Sequence, residues 1–466
     1  MFIILGSFLN RFVPLYITYV IIISLIRAGD ILFDSYVTVI GAGLAGVEAS
    51  YQLAKRGFSV KLYEMKKLHK NPAQQSDAFA ELVCSNSLRS DALENAVGLL
   101  KTELRMLDSL VIRIADANRI PAGTSLTVDR ICFSAQLTDI IRHHPLIEVI
   151  DAEMDTIPDG EVIIATGPLT SEPLFAAIKK LTGEDTLYFF DAAAPIILAD
   201  SIDMTIVYQK SRYDKGEASY LNCPMTIDEY NNWYDELINA QCVIPKDYEL
   251  KVFEGCMPFE EMAKRGKETL LYGPMKPVGL EMPNGNRPYA VVQLRRDDIS
   301  GSLYNIVGFQ THLTFPEQQR IIKMIPGLAN AKIVRYGVMH KNTFINAPMI
   351  INACYQMKAE PRIFIAGQLS GVEGYVESVG SGMVAALNMV KRLQNEPKLI
   401  FPRETALGAH AYYLANAVPS FFQPMNINHG LFPELIGKHH KRDRKILYAK
   451  RSIETIKNMT EAHLFD

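Results

Sequence analysis

One segment limits the fold of this chain more than any other. Tyr36-Val-Thr-Val-Ile40 is short, apolar and β-branched, and it reads as a buried strand. Gly41-Ala-Gly-Leu-Ala-Gly46 follows at once. Val47 to Arg56 then reads as a helix, with Val47, Tyr51 and Ala54 on one face and Gly57 as its stop. Phe58-Ser-Val-Lys-Leu-Tyr63 reads as a second strand, and Glu64 ends it.

Each part of that run has a physical job. Gly41 permits a tight turn, Gly43 lets the backbone approach a pyrophosphate, and Gly46 lets helix and strand pack closely. The helix N-terminus offers free N–H groups and the positive end of its dipole to phosphates. Glu64 stands about 20 residues on, where a carboxylate accepts ribose hydroxyls. Strand, glycines, helix, strand and acid in register predict a dinucleotide site built from Gly41, Ala42, Gly43, Leu44, Ala45, Gly46 and Glu64.

Two later segments favour FAD over NAD. Glu161-Val-Ile-Ile-Ala-Thr-Gly167 resembles the second flavin-contacting strand of flavoproteins with two dinucleotide folds. Arg362-Ile-Phe-Ile-Ala-Gly-Gln368 is another strand ending in glycine, at Gly367. Gly380-Ser-Gly382 is expected to open an apolar helix, Met383 to Leu393, with its N-terminus toward the ring and Gly382 at the cofactor. The site is therefore assembled from both ends of the chain. The fold class expected is α/β: a Rossmann-type, glutathione-reductase-like FAD domain over 32–190 and 335–466, with an inserted α+β domain over 191–334. Inside the insertion, Tyr289–Leu294 and Tyr304–Phe309 read as strands, with Asp297–Gly301 as a turn.

A chain of 466 residues has room for this plan, and its formal charge of −3 excludes a globally basic nucleic-acid binder. Local basic groups remain: Lys264, Arg265, Lys267, Lys276, Arg287, Arg295 and Arg296, and near the end Lys438, His439, His440, Lys441, Arg442, Arg444 and Lys445. They read either as solvated faces or as a track for an RNA backbone. None of the six cysteines sits in a CxxC pair, so no metal is expected, and scattered thiols suit a reducing, cytoplasmic setting. Residues 1–31 are an apolar leader whose status stays open between an upstream extension, an anchor and a packed helix; a membrane partner is not expected, because the run is short for a span.

Longer strings carry a resemblance. Phe79-Ala-Glu-Leu-Val-Cys-Ser-Asn-Ser-Leu-Arg89, Ser211-Arg-Tyr-Asp-Lys-Gly-Glu217, Phe253-Glu-Gly-Cys-Met-Pro258, Gly273-Pro-Met-Lys-Pro-Val-Gly279, Arg287-Pro-Tyr-Ala-Val-Val-Gln-Leu-Arg295 and Gly371-Val-Glu-Gly-Tyr-Val-Glu-Ser378 resemble the folate- and FAD-dependent tRNA uracil-C5 methyltransferase family, from about Val37 to about Ile456. The resemblance implies an enzyme that makes 5-methyluridine in the tRNA T-loop. Methylenetetrahydrofolate would give the carbon, reduced FAD would carry it, and NADPH or NADH would reduce the flavin. The same chemistry on ribosomal RNA, or another flavin-dependent tRNA-modifying oxidoreductase, is the alternative.

C5 of uracil is a poor nucleophile, and a thiolate added at C6 makes it a good one. Cys256 matches the family's nucleophile in Glu-Gly-Cys-Met-Pro, with Lys264 and Arg265 near enough in sequence to favour a thiolate. Cys84 matches the family's second cysteine near the flavin. Cys223 reads as a packed turn, and Cys132, Cys242 and Cys354 as filler. Tyr375, Glu373 and Glu377 are expected over the flavin, His340 and Asn342 against the folate, and Arg287 and Arg295 at phosphates. Lys341 stands where the family resemblance calls for arginine, and the leader is not part of the family pattern.

Overall fold

The glycine run decides how the chain packs. A computed structural model describes residues 36–466, except 72, 185–186, 215–216, 244–256, 438, 441 and 466. Val37–Ile40 is buried along its whole length at the centre of a five-stranded parallel sheet. It pairs Val37 with Val60 on one side and with Glu161 on the other. Ile147–Ile150 and Ile363–Ile365 form the two edges. Both faces of the central strand are covered, so all four of its residues are buried, Thr38 included, rather than alternate ones.

Leu44–Lys55 is the helix of the fingerprint, and it starts three positions before the predicted Val47. A Cβ on Gly46 would sit 1.8 Å from the Gly41 carbonyl oxygen, so helix and turn touch backbone to backbone. Gly41 itself has φ +98°, and a side chain there would meet the Ala165 carbonyl at 2.6 Å. Only glycine satisfies both conditions at once.

The helix expected from Met383 begins at Tyr375 and runs to Leu393, about two turns earlier than the sequence suggested. Gly380 and Gly382 therefore lie inside the helix and do not open it. A Cβ on Gly382 would come within 2.3 Å of the Ala45 carbonyl oxygen. This glycine serves the close approach of two buried helices, Tyr375–Leu393 against Leu44–Lys55, and Gly382 lines no cavity beside the fingerprint.

A second hydrophobic core gathers residues between Ile197 and Ile333 under a six-stranded sheet, all of whose pairings are antiparallel. Its long strands are Tyr220–Met225 and Ala290–Arg296, with Leu303–Ile306 beyond. Cys223 lies buried in the first of these, a strand where a turn was expected. Trp233 is fully buried and stacks on Phe259, which stacks on Phe309 at 4.5 Å, and its indole N–H donates to the Ile321 carbonyl. Such rings bury large apolar areas, and only the indole N–H among these three needs a hydrogen-bond partner, which it has.

Between the two cores the chain passes out along Leu187–Ala192 and back along Met339–Phe344. The two strands pair antiparallel and set His340 opposite Asp191. Among the described residues no helix is long and apolar enough to cross a membrane; the leader lies outside them.

Replacing Gly382 by alanine should cost about 1–3 kcal/mol, the usual penalty for overpacking against unyielding backbone. Urea unfolding of the G382A chain checks this. An unchanged midpoint would mean that the two helices part freely.

Candidate functional site

The C-terminal ends of the parallel strands open into two adjoining cavities. The first is lined by Gly41, Glu64, Met65, Glu153 and Met154 among others. The second is lined by Leu44, Ala45, Gly167, His340, Gly367 and Tyr375 among others. Asn71, Gln74, Thr166 and Leu169 face both. A crevice at the carboxyl ends of parallel strands is where this topology places ligands.

The fingerprint residues fit a pyrophosphate. Nothing stands within 4 Å of the place a Gly43 Cβ would take, so the backbone is bare on that side. The first N–H groups of the helix that starts at Leu44 have no partner within the helix. The Glu64 carboxylate is already engaged: Oε2 accepts from the Ala42 N–H at 2.7 Å and Oε1 from the Lys66 N–H at 3.1 Å. Glu64 thus braces the glycine turn while its remaining lone pairs face the first cavity. Gly367, with φ +72°, brings its backbone to the second cavity beside Ala45.

Cys84 sits on a loop held from every side. The Tyr375 hydroxyl accepts from the Cys84 N–H at 2.8 Å and from the Ser85 N–H at 3.2 Å. Arg335 donates to the Val83 carbonyl at 2.6 Å, and Arg130 to the Leu82 carbonyl. Arg295 reaches the Ser85 hydroxyl at 2.7 Å and Asn86 Oδ1 at 3.2 Å. The Asn86 amide in turn donates to the Val128 and Arg296 carbonyls. Arg295 is therefore buried in this joint, which corrects the expectation that it meets phosphates. Burial and the neighbouring Asp191 push the Cys84 thiol up to about 12, so it stands as a neutral thiol.

Of the other predicted residues, His340 and Tyr375 line the second cavity, and Asn342, Glu373 and Glu377 do not. His340 is buried, with Nε2 at 3.9 Å from Asp191 and Nδ1 without a hydrogen-bond partner. Burial lowers its pKa, leaving the ring neutral. The Asn342 amide donates to Asp191 at 3.4 Å. Glu373 accepts from Gln368 at 2.7 Å, and burial, then Asp191 and Glu377, raise its pKa. Glu377 is ion-paired with Arg89 and accepts the Ile427 N–H at 2.9 Å. It works as a brace and does not line the cavity.

Cys256 lies outside the described residues, as does the rest of 244–256. Lys264, which the sequence placed as an aid to that thiol, pairs with Glu261 at 2.7 Å. Cys132 is exposed and not the packed filler expected. Sequence reasoning missed Arg130, Arg335 and Asp191. Nothing local marks an arginine that binds a carbonyl more than 200 positions away, as Arg335 does.

A family model described as "Glucose inhibited division protein A" matches residues 36–397. A relative from Bacillus licheniformis, named methylenetetrahydrofolate--tRNA-(uracil-5-)-methyltransferase TrmFO, is 57% identical over 428 residues, which are 91% of this chain and 99% of the relative. One of the same name from Bacillus subtilis is 58% identical over 428 residues, 91% of this chain and 98% of its own length. Among solved structures, Aquifex aeolicus GidA in its form I crystal is similar with a TM-score of 0.67 at 15% identity, covering 93% of this chain and 77% of that one. Identity that low speaks for the fold alone, a Rossmann-type α/β fold.

The raised pKa of Glu373 has a stability consequence. The folded protein holds a proton that the unfolded chain releases, so this contribution is full below the ordinary value of 4.5 and is lost as pH rises through the raised one. Glu373→Gln removes the titration. Between about pH 5 and about pH 9, wild type should lose thermal stability relative to E373Q. Parallel melting curves across that range would refute the assignment.

Proposed function

The chain belongs to the glucose inhibited division protein A family and, within it, to the methylenetetrahydrofolate--tRNA-(uracil-5-)-methyltransferases, and on that footing we propose how its residues share the reaction. It methylates C5 of a uridine in tRNA with a one-carbon unit from methylenetetrahydrofolate. The match over nearly the whole length of those relatives supports the activity. One structural observation carries the cofactor: the bare backbone at Gly43 beside the paired cavities.

Gly41, Ala42, Gly43, Leu44, Ala45 and Gly46 would hold the pyrophosphate of FAD, with Glu64 in the adenosine cavity and Gly367 at the ring. When bound there, FAD supplies the reducing electrons and the relay for the folate carbon, with NADPH or NADH as the source of those electrons. Gly382 acts at one remove, by letting the two helices that frame the site close together.

The protein's own groups divide the remaining work. Cys256 supplies the sulfur that adds to C6 of the uracil and leaves again as thiolate when, after substitution at C5, the C5 proton is removed and the C5–C6 double bond re-forms. Cys84, kept protonated by its surroundings, is unsuited to be that nucleophile. Its loop instead shapes the wall of the second cavity through Glu81 and Val83. His340 lines the cavity where a polar group of folate or uracil would bind, and its buried Nδ1 is left without a hydrogen-bond partner. Glu373, which retains its proton above the usual carboxylate range, can hydrogen-bond to a carbonyl or give that proton. The T-loop uridine is the proposed target and the cytoplasm the proposed setting; a ribosomal RNA target is the alternative outcome of the assay below.

Unmodified tRNA is incubated with the purified protein, NADPH and methylenetetrahydrofolate labelled in its methylene carbon, then digested to nucleosides. Labelled 5-methyluridine is the expected product. Label in ribosomal RNA but not in tRNA would move the target. Cys256→Ala should lower methyl transfer at least about 10³-fold while flavin stays bound, as loss of a covalent nucleophile does. Normal turnover by this variant would remove Cys256 from the mechanism.

Gly43→Val tests the cradle separately. Open space surrounds that position, so the variant should fold as wild type does, yet it should purify without flavin. Stoichiometric flavin in G43V would refute the assignment.

A further inference from the structure

Away from both cavities, on the second core, three chain segments bring thiol, imidazole and carboxylate groups together. Cys242 bridges antiparallel to Leu313, and the Val243 N–H donates to the His312 carbonyl at 2.7 Å, so Cys242 and His312 stand on neighbouring strands of backbone. The helix Phe259–Lys264 adds Glu260 and Glu261 from its first turn, anchored by the Phe259 N–H on the Gln310 carbonyl at 2.9 Å. One ligating atom from each of Cys242, Glu261 and His312 lies within 4.8 Å of the others.

We propose that Cys242, Glu261 and His312 form a binding site for a divalent transition metal of the zinc class, with water in the fourth position. Thiolate, imidazole and carboxylate are the ligand types such an ion takes. Bond lengths of 2.0–2.3 Å place tetrahedral ligand atoms about 3.3–3.8 Å apart. His312 Nε2 stands 3.0 Å from Glu261 Oε1, close to that spacing.

Two further observations point to a missing ligand. Glu260 is 1% exposed, and its Oε2 has no hydrogen-bond partner, while Oε1 accepts from Thr311 Oγ1 and the His312 N–H. An unpartnered carboxylate oxygen in the interior is costly, and a cation bound beside it would offset that cost. His312 Nδ1 is 3.0 Å from the Val243 carbonyl, the arrangement that fixes the ring and turns Nε2 toward a metal.

Lys264 shares Glu261 Oε1 at 2.7 Å and would yield it to the ion; its side chain is 49% exposed, and pairs of that kind are weak. Binding is a ligand exchange without redox change: the thiol proton and the proton on Nε2 leave to solvent as the metal bonds form. Three protein donors, one from each segment, would tie Cys242 and His312 to the helix that carries Glu261.

The full chain, free of any histidine tag and stripped with chelator, is titrated anaerobically with Co²⁺. Expected are saturation at a single equivalent, tetrahedral visible bands and a near-ultraviolet thiolate-to-cobalt band, with Zn²⁺ displacing the Co²⁺. Cys242→Ser should abolish the thiolate band, His312→Gln should weaken binding about tenfold or more, and Cys256→Ser should change neither. Absence of saturable binding, or a thiolate band that survives Cys242→Ser, would overturn the proposal. Cys242→Ser decides the matter even where His312→Gln disturbs folding, because it replaces one atom at a half-buried position.

Discussion

Close contact of bare backbone is what the rest of this structure depends on. At Gly41, Gly46 and Gly382 three surfaces meet with no side chain between them, at distances where a single methyl group would collide with a carbonyl. The central strand can then pass straight into the fingerprint helix, and the helix Tyr375–Leu393 can lie along that helix from the far end of the chain. Both cavities exist because these contacts leave the carboxyl ends of the strands open while closing everything behind them. Glu64 finishes the arrangement by pinning the Ala42 N–H from the end of the neighbouring strand.

Polar contacts join the two cores at the Cys84 loop. Arg295 and Arg335 come from the antiparallel sheet and spend their donors on the Cys84 loop, while Arg130 pairs with Asp297 at 2.9 Å. Buried guanidinium groups need several acceptors, and backbone carbonyls on a loop supply them without further charge. The loop therefore keeps one shape only while both cores are in place. Tyr375 fixes it from the third side, from the first turn of the long helix. A change in any of these elements reaches Cys84 and the wall beside it.

Much of the site is local in sequence, and that part was legible. The strand, the glycines, the helix and Glu64 fall within 29 residues, 36–64, and each residue type has one role in that register. The strands ending near Gly167 and Gly367 were legible for the same reason. The start of the long helix was not. Gly380 and Gly382 look like a helix boundary because glycine weakens helices, but here tertiary contact with Ala45 outweighs that propensity. The roles of the distant groups were equally hidden: Tyr375 meets Cys84 across 291 positions, and Arg335 meets Val83 across 252. Cys242 read as filler for the same reason, because its neighbour His312 is 70 positions away and no motif links them.

The sequence by itself determined the dinucleotide-binding frame and the family, because turn geometry, helix start and close approach are local demands that only certain residues meet. Tertiary structure decided which side chains reach the cavities and in what state of charge. Burial raises the pKa of the Cys84 thiol and of Glu373 and keeps His340 neutral. Burial is a property of what packs around a residue, and no reading of its neighbours along the chain supplies it.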